Sequence, residues 1–209
     1  MTGPVCITMR SGPSGAVVLL AGAVSYALRA CAPVVPGEMS LPTPCAGWDL
    51  GILMGHLSDA MADLETVIRT GCLDLLRPPP LPAPGDPVEV LRDRAAELLC
   101  SAYGYASPEL FVAIGDLPMP AGLVVSTGAV EIAVHGWDVS QSRGGGQPIP
   151  APLATRMLAL CPLLVAGREG LFAPQVPVPA QASPGDRLVG YLGRRPGTRP
   201  AHPSVVTGE

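Results

Sequence analysis

Proline and glycine decide where this chain can be regular. Its 26 prolines and 25 glycines, in 209 residues, gather at 33–47, 77–87, 115–122, 143–152 and 173–200. Proline lacks the amide hydrogen that a helix interior or a central strand needs, and glycine loses the most backbone entropy on ordering. Regular structure is therefore confined to the intervals between the clusters. Those intervals are apolar and long enough for helices. None alternates long enough for a convincing strand, and 108–121 reads as irregular. The chain is expected to be a set of helices joined by proline-rich connections, with a proline-rich tail.

So much proline and glycine approaches a low-complexity composition, but the rest of the sequence argues for a packed core. The chain is 48% hydrophobic and only 14% charged, against an ordinary charged fraction of roughly 25%. Disorder over most of the chain is excluded on that ground, and the length fits one domain. The formal net charge is −4 and all 13 basic residues are arginine. A nucleic-acid partner is not expected, because phosphate contacts need clustered basic residues. The absence of lysine removes Schiff-base and P-loop chemistry. Lysine and asparagine, both missing, have A-rich codons, so their absence points to a GC-rich genome. None of the six cysteines lies in a C-x-x-C pair, so reduced thiols and a cytoplasmic location are expected. Residues 16–24 form an apolar run between Arg10 and Ala30-Cys31-Ala32, the outline of a signal peptide. Arg29 and Ser25-Tyr26 interrupt that outline, and the run is far shorter than the ~20 residues that span a bilayer. It reads as a buried N-terminal helix, with no membrane partner.

Six helices follow. Residues 14–31 are apolar nearly all round and so deeply buried. A second helix starts at Asp49, a good N-cap. Its apolar positions, Ile52, Leu53, Leu57, Met61, Leu64 and Ile68, recur at three and four, and it ends near Thr70-Gly71. Asp59, Asp63 and Arg69 mark its exposed face. A third runs from Asp86-Pro87 to about Ser101 with Val88, Leu91, Ala95, Leu98 and Leu99 inward. A fourth spans about 122–143, a fifth 152 to about Arg168, and a short last one 183–193. The reading is an all-α up-down four-helix bundle with an extra C-terminal helix.

Chemistry-bearing residues are few. His56 and His135 sit mid-helix on apolar stretches, whereas His202 lies in the tail. Glu131 precedes His135 by four residues, so both share one helix face. If the second and fourth helices are neighbours, His56, Glu131 and His135 form a His2Glu set, three ligands with a further position open. The alternative is an ordinary surface Glu–His pair and a satisfied core histidine. Context weighs on this choice, because Glu131 lies between Val130 and Ile132. A buried carboxylate needs a cation, and the nearest arginine in sequence is Arg143. Asp138, one turn beyond His135, is a candidate catalytic residue that could orient a bound water or hydrogen-bond a ligand ring, or could equally bond the loop backbone. Trp48 and Trp137 read as core or pocket wall, Cys45 as a small buried hydrophobe rather than a catalytic thiol, Tyr103 and Tyr105 as candidate pocket lining, and Arg194-Arg195 as solvated surface. Gly51 and Gly55, flanking the approach to His56, leave room for a ligand or for close helix packing.

Residues 41–50, Leu-Pro-Thr-Pro-Cys-Ala-Gly-Trp-Asp-Leu, followed by His56-Leu57, resemble the N-terminal signature of the DinB-like superfamily. The branch they resemble is the metal-binding N-terminal domain of mycothiol-dependent maleylpyruvate isomerase. Residues 131–138, Glu-Ile-Ala-Val-His-Gly-Trp-Asp, resemble its second signature. Residues 172–179, then Asp186-Arg187-Leu188 and Gly193-Arg194-Arg195-Pro196, resemble the C-terminal end of its short members. The resemblance implies a DinB-like metal-binding helical domain over 14–196, between a flexible N-terminus at 1–13 and a flexible tail at 197–209. It implies a divalent metal, zinc or nickel, on His56, Glu131 and His135, with mycothiol as co-substrate. The isomerase of that branch carries a second, C-terminal domain for which the chain is too short.

The function that follows is metal-dependent S-transfer of a thiol to a small electrophilic molecule, or thiol-assisted isomerisation. One alternative keeps the metal as a Lewis acid without thiol, in a hydrolase, isomerase or cyclase. Another is a non-enzymatic bundle that binds a small molecule. A homodimer is compatible with the apolar, weakly charged composition.

Overall fold

The computed structural model describes residues 14–74, 76, 85–104, 110–164 and 173–197. The expectations for 1–13, for Tyr105, for Phe172, for His202 and most of the tail, and for the fifth helix beyond Leu164 lie outside the described residues.

Local signals set the helix ends. In α1 (Gly15–Cys31) the Ser14 hydroxyl caps the N-terminus by accepting from the Val17 amide. In α2 (Leu50–Thr70) the Asp49 carboxylate accepts from the Ile52 amide at 2.8 Å, and Gly71, with φ 78°, closes the other end. Next come α3 (Pro87–Gly104), α4 (Ala121–Ser142), α5 (Ala151–Leu164) and α6 (Pro184–Tyr191), the last capped by Ser183. The protein is all-α, a DinB-like bundle of α1–α4 with α5 and α6 added at the C-terminal end.

The packing follows the apolar patterns. α1 buries Leu19, Leu20, Ala23, Val24, Tyr26 and Ala27 and lies chiefly on α4. Gly136 makes that approach close: a Cβ there would stand 2.9 Å from the Ala27 Cα. α2 lies on both α3 and α4. His56 meets Glu131 and Leu64 meets Gly128, so α2 and α4 run antiparallel. Within α2 the periodic positions Leu53, Leu57, Met61, Leu64 and Ile68 are buried, but Ile52 is half exposed. It stands in the first turn, outside the stripe that faces α4. Asp63 is only partly exposed, on the side of α2 that the small sheet approaches.

The expected irregular stretch is instead structured. β2 (Phe111–Ile114) and β3 (Leu117–Pro120) form an antiparallel hairpin, and β1 (Cys72–Leu73) pairs parallel to β2. Gly115, with φ 56°, makes the tight turn. Pro118 and Pro120 are tolerated because β3 is an edge strand. Val112 and Ala121 pack with Val67, fixing the sheet across the end of α2 and the start of α4. No helix among the described residues is long and apolar enough to cross a membrane. Cys31, Cys45, Cys72, Cys100 and Cys161 are thiols, not disulfides.

Candidate metal centre

The bundle brings the sequence-predicted trio together. His56 and Glu131 face each other between α2 and α4, with His56 Nε2 3.1 Å from Glu131 Oε1. One ligand atom from each of His56, Glu131 and His135 lies within 4.8 Å of the others. The His56 and His135 rings meet edge-on, centroids 4.9 Å apart. His56 and Glu131 are partly exposed, at 36% and 41% of their side-chain surface, while His135 is at 12%. Burial pushes the Glu131 carboxyl up. The hydrogen bond from His56 and the charges of His135, His56 and Arg194 outweigh that effect and hold it below the usual carboxylate range.

The loop before α2 supplies the wall. The Leu50 amide bonds the Leu41 carbonyl, and the Thr43 hydroxyl accepts from the Cys45 amide and donates to the Trp48 carbonyl at 2.9 Å. Thr43 and the turn at Gly47 thereby aim Trp48 at the site. Its ring meets His56 edge-on at 4.8 Å and stacks beside His135 at 6.1 Å. Trp137 points the other way, into the core. The expectation of core or pocket wall covers both tryptophans.

Behind His135 is a second cluster. His135 Nδ1 lies 3.0 Å from Asp138 Oδ2 and donates to it. Arg194 grips the same carboxylate with Nη2 to Oδ2 at 2.8 Å and Nε to Oδ1 at 3.3 Å. The Cys45 thiol donates to Asp138 Oδ2 at 3.3 Å. Asp138 is fully buried. Burial raises its carboxyl, but the His135 hydrogen bond and the Arg194 charge bring it below the usual range. Cys45, His135 and Asp138 also have ligand atoms within metal-binding reach of one another. There the guanidinium already supplies the positive charge, with Nη2 3.8 Å from the sulfur. With Nδ1 committed to Asp138, Nε2 is the His135 nitrogen left for the set with His56 and Glu131.

A cavity of about 340 Å³ opens from His56 and Glu131 of that set. His56 and Glu131 stand at one end, and it runs between Leu64 and Val67 of α2 and Val124 and Gly128 of α4 to Ile114 and Met119 of the sheet. It is of the size that takes a small molecule.

Several expectations change. Arg194 is not solvated surface but the counter-ion of a buried carboxylate. A signal existed: Asp138 lies in an apolar helix and needs a cation as much as Glu131 does. Arg143 does not serve Glu131; it pairs with Glu38 at 2.8 Å, and His56 is the partner of Glu131. Cys45 is a polar participant as well as a packed side chain. Burial, then the Asp138 charge, push its thiol up to about 12, which keeps it neutral and a poor nucleophile. Tyr103 is 57% exposed and does not line the cavity. A Cβ at Gly51 would meet Met39 at 3.5 Å, and Gly55 faces open space, so neither leaves room in the cavity.

Two records of an uncharacterized protein of Mycobacterium tuberculosis, from two strains, are each 25% identical to this chain over 164 residues, covering 75% of it and 85% of the relative. No solved structure matches. The mycothiol maleylpyruvate isomerase N-terminal domain family matches residues 20–140, from α1 to the last turns of α4 and across His56, Glu131, His135 and Asp138. That match spans more than half of the chain, which therefore belongs to the mycothiol maleylpyruvate isomerase N-terminal domain family.

Proposed function

We propose that this protein is a metal-dependent enzyme that joins a low-molecular-weight thiol, mycothiol, to a small electrophilic molecule, or uses the thiol to isomerise one. The observation that carries this reading is the convergence of His56, Glu131 and His135 from two helices, with His56 and Glu131 at the end of a small-molecule cavity. Two imidazoles and one carboxylate are a donor set that suits zinc or nickel and leaves a position open. An ion held there would supply Lewis acidity, lowering the pKa of a thiol so that it reacts as thiolate.

The chain's own residues divide the remaining work. Glu131 and His56 present their donor atoms toward the cavity, within reach of an entering small molecule. Trp48 covers the His56 and His135 rings and excludes water from that side. Leu64, Val67, Ile114 and Met119 give the electrophile apolar walls. Cys45 lies behind His135, bonded to Asp138 and outside the cavity lining, so the nucleophile in this reading comes from the co-substrate.

The test is elemental analysis of protein purified without a metal-affinity tag, beside His135→Ala prepared the same way. The expected result is about one zinc or nickel per chain in the parent and almost none in the variant. Mycothiol-dependent loss of an electrophile by the loaded parent then completes the reading. Turnover without added thiol would replace it with Lewis-acid hydrolysis, isomerisation or cyclisation. A parent that retains no ion, even after incubation with zinc or nickel, would overturn both and leave a small-molecule-binding bundle.

A further inference from the structure

We infer that Arg194, delivered by the C-terminal segment, is a positioning residue for the metal centre: through Asp138 it fixes the His135 ring so that Nε2 faces His56 and Glu131. The inference rests on the metal-site reading above, but its geometry stands apart from any ion.

The delivery is built in several steps. α6 buries Leu188 and Val189, which anchor it to the core. After α6 the chain turns at Gly193, with φ 85°, where a Cβ would stand 2.7 Å from the Ala173 carbonyl oxygen. Only glycine tolerates both that backbone and that contact. The Arg194 amide then bonds the Val189 carbonyl at 2.8 Å, and its Nη1 bonds the Leu192 carbonyl at 3.0 Å. Backbone and side chain are thereby fixed before the guanidinium reaches Asp138.

The grip has a consequence for His135. A carboxylate on a helix rotates about its last torsion, which is broad. The two-pronged bond from Arg194 removes that freedom and leaves Oδ2 aimed at the His135 Nδ1–H. A carboxylate accepts only, so the nitrogen facing it carries the hydrogen. In the neutral ring, the form that binds an ion, the opposite nitrogen is then the one with a free lone pair. Residues 56 positions apart in sequence therefore set which face of one imidazole can bind an ion.

The test uses the full chain. Long-range nitrogen–proton NMR of the metal-free protein reads the His135 tautomer, and zinc titration against a competing chelator reads affinity. The parent is expected to show a single Nδ1–H tautomer. Arg194→Met, which keeps most of the apolar stem, is expected to give mixed tautomers and a 10–100-fold loss of zinc affinity, the usual effect of removing a partner behind a ligand. In an Asp138→Asn background the same substitution should cost little more, because Arg194 acts through Asp138. If Arg194→Met does not fold, Arg194→Lys decides, with an intermediate loss expected from a cation that cannot fork. An unchanged tautomer and affinity, or a full loss repeated in the Asn background, would overturn the inference. A parent that binds no zinc would overturn the metal reading, and the tautomer would still judge Arg194.

Discussion

On the Nδ1 side of His135 the polar groups are paired and largely buried. Asp138 is fully buried and takes hydrogen bonds from His135, Arg194 and Cys45. On the other side His56 and Glu131 share one hydrogen bond, keep more than a third of their side-chain surface, and border a cavity. The same imidazole thus joins a paired cluster to an open one. The paired cluster already holds a cation against its carboxylate, and its substitution should cost stability. The open one contributes little to folding and should cost binding instead. This division is what a site needs: donor atoms that are available, held by neighbours that are not.

The comparison breaks most directly if the two carboxylates behave alike. Asp138→Ala leaves Arg194 largely buried without its counter-charge, and losing one partner of such a pair costs about 3–5 kcal/mol. Glu131→Gln disturbs a partly exposed pair and should cost about 1 kcal/mol or less in the metal-free protein, yet remove most bound zinc. Urea unfolding of both variants, metal-free, beside their zinc content, checks this. Equal losses of stability would show that the Glu131 side is as structural as the Asp138 side.

A smaller effect tests how His135 is held from behind. Gly136→Ala drives a methyl against the Ala27 backbone, where the Cβ would stand 2.9 Å from Cα and 3.4 Å from the Tyr26 ring. Overpacking of this kind costs about 1–3 kcal/mol. Because the strain falls next to His135, zinc affinity should fall with it. Thermal unfolding and zinc titration measure the two effects. A variant that loses stability but binds zinc normally would show that the α1–α4 contact does not set the ring.

The two sides also differ in how far the sequence exposes them. His56, Glu131 and His135 are legible because helix periodicity puts Glu131 and His135 on one face, and the DinB-like signatures tie His56 to them. The helix limits follow from Ser14, Asp49, Gly71 and Ser183, each acting through its own backbone. Arg194 is not legible in this way. Its partner lies 56 residues away, and nothing local to the Arg194-Arg195 pair separates a buried arginine from a solvated one. Only the tertiary turn at Gly193 makes that choice. The hairpin escaped for a related reason. Strands of four residues with two prolines carry too little alternation, and they form because β2 has both β1 and β3 to pair with and the end of α2 to cover.

The smallest expected effect lies at high pH, where thiols on the buried side give a graded signal. Burial pushes Cys31 up to about 12, whereas an unfolded thiol titrates at about 8.5. A group raised on folding contributes stability that is complete below its unfolded value and is lost as pH rises through the folded value. Stability should therefore hold to about pH 8 and decline above it, by about 1 kcal/mol at pH 9.5 for this one thiol. Cys31→Ala should flatten that decline by the same amount. Cys45→Ala should flatten it by about as much, because its thiol is also pushed up to about 12 and stays protonated in the folded protein across this range. Urea midpoints from pH 7 to 9.5 measure the slopes, so any constant cost of the substitutions cancels. A steeper change for Cys45 than for Cys31 would mean that the Asp138 cluster carries more of the alkaline sensitivity than the core behind it, and that its burial depends on the thiol staying protonated.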